Sequence, residues 1–178
     1  MPPSPLTGFI HPTPSLAYPH DMPLTGLCTA ELLLVTTLRL FARSCDGPAE
    51  RAWQPGFEAA GIAPCAVRAF DTLFNIVARL RHRSLDVRCP HCRHLGVDEG
   101  RLLQFISLMQ RSRAREAFGV LAEWLPPCGM RLAVFPAQKL ADALMQGGLF
   151  VPHRLGWANE PCRAASPAPI GSASIHPE

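Results

Sequence analysis

The sequence predicts a mainly α fold, with about five helices in one compact domain, up to three short strands and a disordered tail at each end. Three observations predict it. Apolar residues recur at spacings of three and four through several long segments, which is the period of an amphipathic helix. Proline is concentrated at the ends, with seven of the 19 in residues 1–25 and four in residues 161–178. Hydrophobic residues make up 48% of the 178 and charged residues 17%. That supports a buried core and excludes both a wholly disordered chain and a Glu/Lys-rich coiled coil.

Residues 1–25 read as a Pro-rich tail, because Pro supplies no N–H and biases its predecessor away from the helix. Residues 26–155 read as the helical domain and 156–178 as a second tail. The first helix is expected over 29–44, with Leu34, Leu38 and Phe41 on one face and Arg39 and Arg43 on the polar side. Residues 47–62 connect, with a short turn after Pro55. The second helix, 64–82, starts on Pro64 and repeats Val67, Phe70, Phe74 and Val77, which suggests a place central to the core. Residues 84–88 alternate Leu85 and Val87 with Asp86 and Arg88, the pattern of a short strand or extended arm. A third helix follows to about 110, with Asp98 as its expected N-cap and Leu102, Phe105, Ile106 and Met109 inward. A fourth, 113–125, is capped by Ser112 and stopped by Pro126-Pro127, so 98–125 reads as an αα-hairpin. Residues 130–135 suggest a short strand, and a fifth helix runs from Pro136 to 146 before Gly147-Gly148. Residues 149–151 are a last apolar run.

The formal net charge is +3, unevenly spread. Residues 61–115 carry ten basic and four acidic side chains, and all ten basic ones are Arg. The best membrane-span candidate, 27–42, is interrupted by Glu31 and Arg39. The first 25 residues lack a basic start followed by an apolar stretch, so no secretory signal is read there. The seven cysteines are irregularly spaced and odd in number, unlike a secreted disulfide framework. The expectation is a cytoplasmic protein with reduced thiols and no membrane partner.

The chemistry-bearing stretch is Cys89-Pro90-His91-Cys92-Arg93-His94, the turn between helices two and three. A C-x-x-C turn aims two sulfurs at one point, which suits tetrahedral zinc. His94 is the expected third ligand. The fourth must come from elsewhere: His82 or Cys128, with Cys65 and Cys45 as further candidates. A zinc ion held there would fix the arm between the two helices. Two inert cysteines, serving as small apolar side chains, explain the same residues.

Cys-Pro-His-Cys also resembles the active-site tetrapeptide of the thioredoxin-like dithiol oxidases of the bacterial periplasm. The resemblance covers four residues and implies Cys89 as nucleophile and Cys92 as resolving thiol. In that family the first Cys opens a helix, whereas here helical periodicity starts only near Asp98. The family also needs a proline before a later strand, and Pro136 is followed by the helical pattern AQKLADALM.

The Arg band allows a further reading, in which Arg79, Arg81, Arg83, Arg88 and Arg93 neutralise nucleic-acid phosphates. The dipole at the end of helix two explains several of them equally well, and stacking aromatics are missing from the band. No nucleophile elbow, zinc-protease, P-loop or dinucleotide motif is present. No catalytic residue is therefore assigned, and an enzyme is the less favoured class. The sequence favours a non-enzymatic binding, regulatory or accessory protein with a zinc knuckle, whose partner is another protein or a second copy. Few charged side chains must cover the folded part, so some apolar surface is expected to stay exposed.

Overall fold

In the computed structural model, residues 18–44 and 52–154 are described. They form six α-helices: α1 (Thr29–Ser44), α2 (Gln54–Ala59), α3 (Pro64–Leu80), α4 (Val97–Gln110), α5 (Ala114–Leu121) and α6 (Pro127–Gln146), preceded by a 3-10 turn at Leu24–Gly26. The mainly α expectation holds. None of the three short strands forms among the described residues, and the only β pairing there is an isolated antiparallel bridge between Pro23 and His94.

The helix at the centre is α4, not the second expected helix. Leu102, Leu103, Phe105, Ile106, Ser107, Leu108 and Met109 are all buried, and α1, α5 and α6 pack around it. A helix apolar on every side belongs inside. α3 and α6 lie side by side and antiparallel. A Cβ on Gly129, at the start of α6, would stand 3.4 Å from Leu80 at the end of α3. At the other end, Gly147 lies against Ile62. Phe41, Trp53, Phe57, Phe70 and Phe74 join α1, α2 and α3 in an aromatic cluster with ring centroids 4.5–6.4 Å apart. Edge and tilted contacts of this kind add to the burial of the rings themselves.

Four local expectations are corrected. Residues 130–135 are helical and Pro136 lies inside α6 instead of starting a helix. The stripe Gly129, Ala133, Pro136, Ala137, Leu140, Ala141 and Leu144 is buried at helical spacing across the expected strand. Pro136 removes the N–H that would bond the Leu132 carbonyl, and Leu132 is 59% exposed, so water can reach that end of the turn. Ser112 is not a cap. It takes a left-handed φ of 57°, and the Arg113 N–H bonds the Leu108 carbonyl at 3.0 Å, closing α4 in a Schellman-type turn that usually uses Gly. Asp98 is not the N-cap either: that position is Gly96, and Asp98 sits in the first turn. Finally, residues 18–25, assigned to the tail, lie on the folded body, with Tyr18, Met22 and Leu24 against the core. The rest of both expected tails, and Cys45 and Trp157 with them, lie outside the described residues.

Candidate functional site

The site is assembled around the first turn of α4. Glu99, at the third helical position, accepts the Gly96 N–H at 2.7 Å, which satisfies one of the donors a helix start leaves open. Its other bonds reach outward. Arg39 of α1 donates to it twice, Nε to Oε1 at 2.7 Å and Nη2 to Oε2 at 2.8 Å. Both side chains are buried, at 2% and 0% exposure. Arg39 then reaches past Glu99 to the Cys-His turn: Nη1 donates to the Cys92 carbonyl at 2.6 Å and Nη2 to the His94 carbonyl at 2.8 Å. One guanidinium thus ties α1, α4 and the turn together.

Asp98 performs the same task on the other side. It accepts a fork from Arg83, at 2.8 and 2.6 Å, the Trp124 indole N–H at 2.8 Å, the Arg101 guanidinium at 3.0 Å and the Asp86 N–H at 2.6 Å. Burial pushes this carboxyl up, but the bonds from Arg83, Asp86, Trp124 and Arg101 outweigh it and hold the group at about 2. Asp86 answers with its own carboxylate, which accepts the Val97 N–H at 2.8 Å. The Arg88 N–H bonds Glu99 at 3.0 Å. This explains why 84–88 is an extended arm and not a strand: its alternate N–H groups bond the two acids of the α4 start, where a strand would bond a neighbouring backbone.

The turn itself is closed by the Cys92 N–H on the Cys89 carbonyl at 3.0 Å. Its far side is sewn to the N-terminal segment, with the Leu24 N–H on Arg93 O at 2.9 Å and the Leu95 N–H on Met22 O at 2.8 Å. Cys89 is exposed and Cys92 half-buried. Both thiols lie near enough to Arg39 to act on its charge. Burial opposes that charge, the Glu99 hydrogen bonds and carboxylate favour it more strongly, and Cys92 and Cys89 as thiolates add to it, so Arg39 holds its proton even more firmly than usual.

The expected four-ligand zinc site is not brought together. No group of three or more His, Cys, Asp or Glu side chains stands in metal-holding geometry among the described residues. His94 serves through its backbone, accepting from Arg39 and pairing with Pro23, and its side chain is exposed. His82 is exposed just beyond α3, with its N–H on the Trp124 carbonyl at 3.0 Å. Cys128 and Cys65 are exposed in the first turns of α6 and α3. Nor does Cys89 open a helix, since α4 begins at Val97.

The Arg band is partly committed to internal bonds. Arg83 is forked onto Asp98 and also bonds the Glu123 carbonyl. Arg88 lies 3.5–3.6 Å from Asp86 and Asp21. Arg79, Arg81 and Arg93 remain on the surface. Among the described residues the exposed large apolar side chains are Leu32, Leu132, Phe135 and Phe150, with Lys139 standing over the Phe135 ring at 5.5 Å.

Sequence reasoning missed Arg39 and the second use of Glu99. A third clasp was missed with them: Glu31, at the third position of α1, accepts the Cys28 N–H at 2.7 Å, the Tyr18 hydroxyl at 2.6 Å and two bonds from Arg154. Burial first, and Glu31 next, drive the Tyr18 hydroxyl far above the phenol range. A usable signal existed in both helices, a Glu three residues into an apolar run. No known protein family, curated protein or solved structure matches this chain. Among the described residues no helix is long and apolar enough to cross a membrane.

Proposed function

We propose that this chain is a non-enzymatic binding protein whose working element is the turn 89–94, offering the Cys89 and Cys92 thiolates to a soft metal ion, zinc foremost. The observation that carries the reading is one closed turn that bears two thiols and is held through its Cys92 and His94 carbonyls by the buried Arg39 guanidinium. The turn is held in shape in advance, so little ordering entropy opposes binding. The reading takes the compartment to be the reducing cytoplasm, where such thiols stay free.

The test is metal analysis of the reduced full chain after dialysis against zinc, beside the Cys89→Ser/Cys92→Ser variant. Retained zinc that the variant loses, with circular dichroism unchanged, is the expected result. Zinc no higher than in the variant overturns the reading.

The exposure of Cys89 next to a half-buried Cys92 favours a second reading, thiol–disulfide exchange, with Cys89 attacking and Cys92 resolving. Alkylation separates the two. Metal-bound thiols resist it until a chelator is added, whereas an exchange-active thiolate reacts fast with or without chelator.

A further inference from the structure

We propose that the two remaining ligands of that metal come from a second copy of this chain, so that two turns, each giving Cys89 and Cys92, close around one zinc ion and join the copies in a symmetric dimer. The proposal rests on the metal-binding reading above and names the partner of the same site. A structural zinc ion takes four donors in a tetrahedron. One turn gives two sulfurs, and among the described residues no third His, Cys, Asp or Glu side chain joins them. Cys89 is exposed, as are His91 and Arg93 on either side of Cys92, so the turn is open to an approaching surface.

Self-association about a two-fold axis brings a patch against its own copy. A C-x-x-C meeting its symmetry mate supplies the paired arrangement that four-cysteine zinc sites use. Four thiols give up four protons in forming the site, so association weakens as pH falls.

The experiment is sedimentation equilibrium of the reduced full chain with zinc, with chelator, and as Cys89→Ser/Cys92→Ser, each paired with elemental zinc. The expected result is one zinc per two chains, a mass that doubles with zinc and returns to the monomer with chelator, and a monomeric, zinc-free variant. A Cys45→Ser/Cys162→Ser chain, changed at the two cysteines that lie outside the described residues, is expected to keep that stoichiometry, and its loss overturns the proposal. One zinc per chain at monomer mass overturns the shared site and leaves the metal-binding reading standing. A dimer that persists in chelator overturns the metal's role in joining the copies. No zinc in any form overturns both.

Discussion

Asp98→Asn separates a charged clasp from a merely polar one. The carboxyl is buried, at 1% exposure, and lies at about 2 against an ordinary 3.8. A carboxyl held low in the folded state binds its proton more readily unfolded, so its stabilising effect is complete above the unfolded value and is lost as pH falls through the folded one. From those two values, ionised Asp98 contributes about 2.5 kcal/mol above pH 5, of which about 1 kcal/mol is gone by pH 3. Asn keeps the shape but not the charge, and turns an amide N–H toward groups that are all donors. The expected loss at pH 7 is about 2–4 kcal/mol. Other acids titrate over the same range in both proteins, so the quantity to follow is the difference between wild type and variant. Urea unfolding at pH 7, 5, 4 and 3, read by fluorescence of the buried Trp53 and Trp124, measures it. That difference should stay level from pH 7 to 5 and shrink by about 1 kcal/mol between pH 5 and pH 3. A difference that is constant down to pH 3 refutes the charge argument. A difference near zero at pH 7 refutes the clasp altogether.

Two further substitutions test the rest of the site. Glu99→Gln leaves the Arg39 guanidinium buried without its carboxylate, and should cost about 3–5 kcal/mol in urea unfolding; exchange of the Leu24 and Leu95 amides, bonded to the Arg93 and Met22 carbonyls, should quicken as the turn loses its anchor, and unchanged exchange there counts against Arg39 as that anchor. Gly96→Ala meets no conformational penalty at φ −77°, but its Cβ would stand 2.5 Å from the Asp86 carbonyl oxygen, so the arm must shift at a cost of about 1–3 kcal/mol; Gly119→Ala, with nothing within 4 Å of the new atom, is the control and should be neutral or stabilising by up to about 1 kcal/mol, and equal effects at the two positions refute the close approach.

Much of the fold was legible because helix period is a local signal. α1 matches its expected span, and α3 and α4 start and stop within two residues of theirs. α6 was not legible as one helix because Pro136 and Pro126-Pro127 are read as boundaries, and its buried face is mostly Ala and Gly, whose small side chains carry little hydrophobic pattern. The centrality of α4 was hidden for the opposite reason: its apolar residues cover every side, so assigning them to one face left Leu103 and Leu108 unread. The cysteines of the site were legible by type and spacing. What stands behind them was not. Arg39 and Glu99 are 60 residues apart, and an ion pair formed by tertiary packing leaves no period in the chain. On a helix wheel Arg39 lies on the polar side, where an arginine is usually solvated.

The clasps change what metal can be expected to do here. The sequence suggests an ion that fixes the arm between α3 and α4, but that arm already has anchors: Asp86 and Arg88 on the two acids of α4, and the turn on Arg39. A domain that depends on zinc for its shape unfolds when the ion is removed, since binding energy and folding energy are then one quantity. Here the Asp86 and Arg88 N–H groups bond carboxylates, the Cys92 and His94 carbonyls bond a guanidinium, and the core beneath them is apolar and buried. Chelator is therefore expected to leave the far-UV dichroism and the indole fluorescence of Trp124, bonded to Asp98, as they were. Loss of helical signal on chelation would show that the two acid–arginine clasps at the start of α4 do not suffice to hold the arm, and that a metal ion carries part of the fold.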